Sequence, residues 1–171
     1  MAKLYTYIMC GLAFSGKSTL ARKIAESTGS KRISFDELWL EKEKENPIPK
    51  GTEGWKYIRN VAQVEVSRAL KAGKSVVYDD NNPKKEHREE IREIGMKAGA
   101  DVFIVYLNTP LDVIRTREET NKVTSDRHEV IPENFQAVLD QFEPPTPEEN
   151  VLEFTPDVET KEFLEKYFDH V

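Results

Sequence analysis

The sequence predicts an α/β protein in which a parallel sheet of about five strands is covered by helices on both faces. Three observations carry this. Short apolar runs alternate with longer segments of helical periodicity along the whole chain. Each run is separated from the next by enough residues for a helical crossover, which parallel strands require. A glycine-rich loop joins the first apolar run to the first helical segment.

Lys3–Cys10 is apolar and aromatic through Leu4, Tyr5, Tyr7, Ile8 and Met9 and stops at Gly11, so it reads as a buried strand with a sharp exit. The helix Ser18–Ser27 carries Leu20, Ile24 and Ala25 near one face and closes at Gly29. A short strand, Lys31–Ser34, leads to Asp36. Glu41–Gly54 mixes Lys and Glu with Pro47, Pro49 and Gly51 and is expected to be a fraying helix end and a mobile loop. Trp55, Ile58, Ala62, Val66 and Ala69 give Glu53–Ala72 a helical stripe ended by Gly73.

Ser75–Asp79 reads as another buried strand. After it, Asn82 is expected to cap a helix with Pro83 at its first position and His87, Ile91 and Ile94 on the apolar face. Asp101–Leu107 is strand-like, and Thr109 and Pro110 open a helix. Pro132 opens another, with Phe135, Leu139 and Phe142 inward. Val151–Thr155 and Val158–Phe168 read as a last strand and a last helix. One domain over residues 1–171 is expected.

Of 171 residues, 38% are apolar and 33% charged, which suits a soluble chain and excludes wholesale disorder. No apolar run approaches the roughly 18 residues that span a bilayer. The start, Met1-Ala2-Lys3-Leu4, lacks a signal-peptide pattern, so no membrane association and a cytoplasmic setting are expected. Cys10 stands alone, which excludes an internal disulfide and a thiolate zinc cluster. The net charge of −6 is uneven: from Asp140 onward ten acids face two lysines, leaving the first 139 residues at about +2. A local cationic groove is therefore compatible with the composition, whereas a basic footprint over the whole surface is not.

The loop Gly11-Leu12-Ala13-Phe14-Ser15-Gly16-Lys17-Ser18-Thr19 fits G-x-x-x-x-G-K-[ST] between a buried strand and an amphipathic helix. Backbone N–H groups of Gly16, Lys17 and Ser18 at a helix N-terminus can surround a phosphate. The Lys17 ammonium can reach the β and γ phosphates of ATP, and the Ser18 hydroxyl can ligate Mg²⁺. The fold class is thus a P-loop NTPase of the kinase-like, three-layer α/β/α kind. Phe14 is unusual in such a loop, and either covers the nucleotide or packs outward.

Asp36 follows the second strand, where strand ends in an open α/β sheet share one crevice with the phosphate loop, so its carboxylate can accept a proton from an attacking hydroxyl. It also stands where a helix cap would. Asp79 ends a buried strand, placing a carboxylate where it can hold Mg²⁺ through water; Asp80 and Asn81 follow directly. Arg115 and Arg127 bracket a helical lid expected over about residues 115–131 and can neutralise charge on a transferred phosphoryl group, while Arg117 is expected to pair with its helical neighbours. His87, His128 and His170 have no metal-ligand spacing. Trp39 and Trp55 flank the Pro/Gly-rich loop, where they either pack in the core or stack on a base.

Three separated matches make the chain resemble the kinase domain of polynucleotide 5′-hydroxyl kinases and their small relatives: Gly11–Thr19, then Asp79-Asp80-Asn81-Asn82-Pro83 with Arg88 downstream, then Gln141-Phe142-Glu143-Pro144-Pro145-Thr146. The resemblance implies transfer of phosphate from ATP to the 5′-hydroxyl of DNA or RNA. It makes Asp36 the general base, Lys17 and Ser18 the phosphate and Mg²⁺ ligands, and Arg115 or Arg127 the lid arginine. Asn82 and Arg88 match substrate-side polar positions. Members of that family often carry an arginine beside the base, whereas the neighbours here are Phe35, Glu37 and Leu38. Two other readings stand beside this one: a kinase of a small metabolite or antibiotic, and an ATP-dependent switch without an acceptor.

Overall fold

A computed structural model describes residues 3–125 and 130–168. Strands β1 (Tyr5–Cys10), β2 (Lys31–Ser34), β3 (Val76–Asp79), β4 (Asp101–Leu107) and β5 (Val151–Phe154) form one parallel sheet in the order β2-β3-β1-β4-β5. The crossovers are helical, through α1 (Lys17–Thr28), α2 (Phe35–Glu45), α3 (Thr52–Lys71), α4 (Lys85–Lys97), α5 (Leu111–Thr124) and α6 (Pro132–Asp140), and α7 (Thr160–Phe168) follows the last strand.

β1 is central because it is apolar on both faces. Ile8 and Cys10 pack with Val66, Leu70 and Ile91 under α3 and α4, while Tyr7 and Met9 pack with Leu20, Ile24, Phe163 and Phe168 under α1 and α7. The alternation of facing along a strand thus creates two cores and three layers. Register pairs Tyr7 with Val77 on one side and with Phe103 on the other. All strands run the same way, so Cys10, Ser34, Asp79 and Leu107 end along one rim, and the loops that follow them share it.

The layer of α4 lies close to the sheet at Gly95, where a Cβ would meet Val102 Cγ2 at 2.8 Å and Thr6 Oγ1 at 2.9 Å. Gly95→Ala is expected to destabilise the protein by about 1–3 kcal/mol through overpacking, read from urea unfolding; an unchanged midpoint would mean the helix can lift without cost.

Two expectations about local structure are corrected. Asn82 does not cap α4: it is buried in a left-handed conformation (φ 46°), and its Nδ2 donates to Met9 O at 2.7 Å, so the helix starts only at Lys85, beyond Pro83. The segment between α2 and α3 is packed: Ile48 is buried, and a Cβ on Gly54 would stand 2.0 Å from Pro49 O and 2.6 Å from the Trp39 ring. Trp39 is accordingly a packing residue, with Nε1 donating to Glu43 at 3.2 Å. Among the described residues no helix is long and apolar enough to cross a membrane.

Candidate active site

The phosphate loop leaves β1 at Gly11, where φ is +153° and a Cβ would lie 3.0 Å from Leu107 O. It enters α1 through Gly16 (φ +101°), which provides no side-chain cap. The first amides of α1 therefore keep their donors available to an anion. Lys17 is buried and donates to Leu12 O at 2.6 Å. Burial holds its ammonium below the usual lysine range, and the charges of Asp79, Asp80, Cys10 and Asp36 oppose that shift. Phe14, in a left-handed conformation (φ 60°), does not point outward: it is buried with Leu12 and Ile114 and packs against Phe135, Val138 and Leu139 of α6.

Ser18 Oγ donates to Asp79 Oδ1 at 3.3 Å across the rim. The other oxygen, Oδ2, accepts from Arg32 Nε at 2.9 Å and Nη2 at 2.7 Å, and Arg32 Nη1 reaches Glu37 at 2.7 Å. A hydroxyl and a carboxylate oxygen side by side suit a hard divalent cation that takes its remaining ligands from phosphate and water. Consistently, no cluster of three acidic, His or Cys side chains among the described residues could hold a metal unaided. Arg32 escaped the sequence reading because nothing in a short edge strand marks a side chain that reaches two strands' ends.

Asp36 is exposed in the first turn of α2. The cap there is Ser34, whose Oγ accepts from Glu37 N at 3.4 Å, so Asp36 is not the capping residue. It follows β2 directly, on the rim from which the phosphate loop leaves β1. Burial pushes the Asp80 carboxyl up to about 6, against hydrogen bonds from Asn81 N at 2.7 Å and the Tyr78 hydroxyl at 3.1 Å.

The arginines divide differently from the sequence expectation. Arg117, not Arg115, reaches the loop: its Nη1 donates to Phe14 O at 3.1 Å and Ser15 O at 3.0 Å. Arg115 is exposed and lines no part of the cleft, because the two helical residues that separate it from Arg117 turn the side chain by about 200°. Arg127 lies outside the described residues. Arg88 and Asn82 are not on a substrate surface. They are 1% and 0% exposed, and Arg88 is spent on Glu149, with Nε to Oε2 at 2.7 Å and Nη2 to Oε1 at 3.1 Å.

A cleft of about 930 Å³ opens beside the loop. Phe14, Thr19, Arg117 and Asn121 form one wall and Pro156–Lys161 the other. The second wall carries no sequence signature, since it is assembled from the segment joining β5 to α7.

His87 in α4 is half-buried. Burial pushes its imidazole down to about 4, with Arg59, Lys84 and Arg88 adding to the shift and Glu143 opposing it. An unfolded histidine takes up its proton near 6.5. Between these values the unfolded chain binds more protons, so the contribution of neutral His87 is complete above about 6.5 and is lost as pH falls toward 4. His87→Asn is expected to lose less stability than the parent between pH 7 and pH 4.5 in thermal unfolding; equal losses would contradict a buried neutral imidazole.

The AAA domain family (AAA_33) matches residues 7–145. No curated protein matches. Among solved structures, the APS kinase CysC of Mycobacterium tuberculosis in complex with AMPPNP and APS superposes with a TM-score of 0.74 at 18% identity, covering 99% of this chain and 98% of that one. Kti12 of Chaetomium thermophilum in complex with ADP-AlF3 superposes at 0.77 and 18%, covering 96% and 97%. A gluconokinase from Sinorhizobium meliloti 1021 does so at 0.68 and 20%, covering 96% and 90%. With a family match that spans most of the sequence and includes the phosphate loop, the chain belongs to the AAA domain family and has the fold of P-loop kinases.

Proposed function

We propose that the protein is an ATP-dependent kinase that transfers the γ-phosphoryl group to a hydroxyl acceptor, with the 5′-hydroxyl end of DNA or RNA as the leading acceptor. The observation that supports this reading is the parallel sheet: β1, β3 and β2 end along one rim, so Asp36, two residues beyond β2, stands on the rim from which the phosphate loop leaves β1, and a nucleotide switch has no use for a carboxylate there. Residues Gly11–Thr19 hold the phosphates, and Lys17 exchanges Leu12 O for a phosphate oxygen. Ser18 Oγ, and Asp79 through water, would hold Mg²⁺, which would supply charge neutralisation at the phosphates. Arg117 fixes the loop from α5 and borders the cleft that receives the nucleoside. Asp36 accepts the hydroxyl proton as the acceptor oxygen bonds to the γ-phosphorus and the bond to ADP breaks.

A small-metabolite acceptor is the second reading, favoured by the fold shared with a gluconokinase and an APS kinase. Transfer of labelled γ-phosphate from ATP to 5′-hydroxyl oligonucleotides and to small alcohols tests both. Labelled oligonucleotide supports the first and labelled alcohol alone the second. ATP consumption that labels no hydroxyl compound would remove the kinase reading in favour of a switch.

A further inference from the structure

The register of the sheet sets Arg32 and Asp79 on one face. Arg32 of β2 pairs with Val77 of β3, and Ser34 pairs with Asp79. Val77 packs in the core under α1, so Arg32 beside it and Asp79 two residues on point to that same face, where Ser18 stands in the first turn of α1. β2 is an edge strand, from which a long cationic side chain can run out into water. Arg32 instead turns along the rim. Its Nε and Nη2 both donate to Asp79 Oδ2, at 2.9 and 2.7 Å, and its Nη1 donates to Glu37 Oε1 at 2.7 Å.

Two features of this arrangement exceed what an ion pair needs. Both N–H groups of one arm go to a single carboxylate oxygen. Oδ2 is thereby occupied, and Oδ1 alone faces the Ser18 hydroxyl, at 3.3 Å. The torsion that turns a carboxylate is soft, so an unrestrained aspartate presents either oxygen, whereas this one presents a fixed one to the start of α1. The remaining donor reaches across to α2. Glu37 adjoins Asp36, so one guanidinium ties the end of β3 to the turn that carries the acceptor-side carboxylate. The Asp79 side chain is 3% exposed and that of Glu37 62%, so the fork is anchored at its buried end.

We propose that Arg32 is a positioning residue for the metal-side carboxylate: it holds Asp79 in the orientation that leaves Oδ1 for a divalent cation arriving with the nucleotide, and keeps that oxygen in register with the turn bearing Asp36. This deepens the kinase reading and rests on it in taking Asp79 as the metal-side group. Arg32 acts through Asp79 and not on the reacting atoms. Partners that hold a ligating carboxylate govern metal affinity nearly as strongly as the ligand itself. A lysine does not replace the fork, because a point charge on a flexible stem cannot bond Oδ2 twice and reach Glu37 as well.

The test measures how much Mg²⁺ tightens binding of a non-hydrolysable ATP analogue to the full chain, as the ratio of affinities in saturating Mg²⁺ and in EDTA. The ratio is expected to fall about tenfold in Arg32→Gln and in Arg32→Lys alike, while affinity in EDTA stays as in the parent. With Mn²⁺ in place of Mg²⁺, both variants are expected to change the electron paramagnetic resonance spectrum of the bound complex. Glu37→Gln alters an exposed side chain and keeps Asp79 paired, so the fold is retained and a smaller fall is expected; no fall there overturns the tie to α2. An unchanged ratio in Arg32→Gln overturns the proposal, and so does full rescue by Arg32→Lys, which would leave charge as the whole effect. Asp79→Asn is the reference. An unchanged ratio in that variant removes Asp79 from the metal side and the proposal with it, whereas a fall there without one in the Arg32 variants removes the proposal alone. Reduced ratios in all of them, with no hydroxyl compound labelled from ATP, leave Arg32 in its role and remove the kinase reading instead.

Discussion

Asp36→Asn is expected to lower phosphoryl transfer by roughly 10²–10⁴-fold while leaving ATP affinity unchanged, since the exchange removes a proton acceptor and keeps the shape. The side chain is exposed in the first turn of α2 and the exchange keeps its shape, so an unchanged unfolding midpoint is expected beside the loss of transfer. Lys17→Ala is expected to cost a comparable ~10²–10³-fold in turnover, as for other preorganised charge-stabilising groups. Its signature differs, because Lys17 serves the nucleotide as well: ATP affinity falls together with turnover. Single-turnover measurements with both variants separate the roles. Unchanged turnover in Asp36→Asn would remove the general base and with it the argument against a switch.

The fold was open to the sequence reading for a physical reason. β1 and β3 are buried on both faces, so their composition signals them directly, and the glycines of the phosphate loop are demanded by conformations other residues rarely adopt. Lys17, Ser18, Asp36 and Asp79 could be named because each follows a strand end, and strand ends converge in a parallel sheet. What failed was direction. Arg115 and Arg117 are two residues apart on one helix, and only the packing of α5 decides which one meets Phe14 O and Ser15 O. Asn82 and Arg88 match substrate-side polar positions in sequence, but proximity to a site does not tell whether a polar side chain is spent within the fold, as Asn82 is on Met9 O and Arg88 on Glu149. Arg32 acts through a long side chain that reaches from β2 to Asp79 at the end of β3 and to Glu37 in α2, and no local pattern records such a reach.

The largest effect on stability is expected at Arg88. Its guanidinium is 1% exposed and bonds bidentately to Glu149, itself 2% exposed, while Nη1 donates to Asn82 O at 3.1 Å and Pro83 O at 3.4 Å. Glu149 in turn accepts from Thr146 N at 3.0 Å, so the pair joins α4 to the segment that enters β5. The Asn82 carbonyl also accepts from the Cys10 thiol at 3.5 Å, and Asn81 O accepts from Gly11 N at 3.1 Å. One buried cation thus fixes the turn after Asp79 against the start of the phosphate loop. Arg88→Ala leaves the Glu149 carboxylate buried and unpaired, a defect that costs about 3–5 kcal/mol. For a chain of this size that lowers Tm by roughly 6–20 °C. Arg88→Met with Glu149→Leu removes both charges and is expected to recover much of the stability, because it is the uncompensated charge that is expensive. Transfer should remain low in the double variant, since the turn has lost its donors and Asp79 its fixed place relative to Ser18. Cys10 provides an independent readout: burial pushes its thiol up to about 12, so in the parent it resists thiol reagents, and in Arg88→Ala it should become reactive as the turn opens. A double variant with full stability and full transfer would show that the pair merely fills space, whereas recovered stability with lost transfer assigns Arg88 to holding the site.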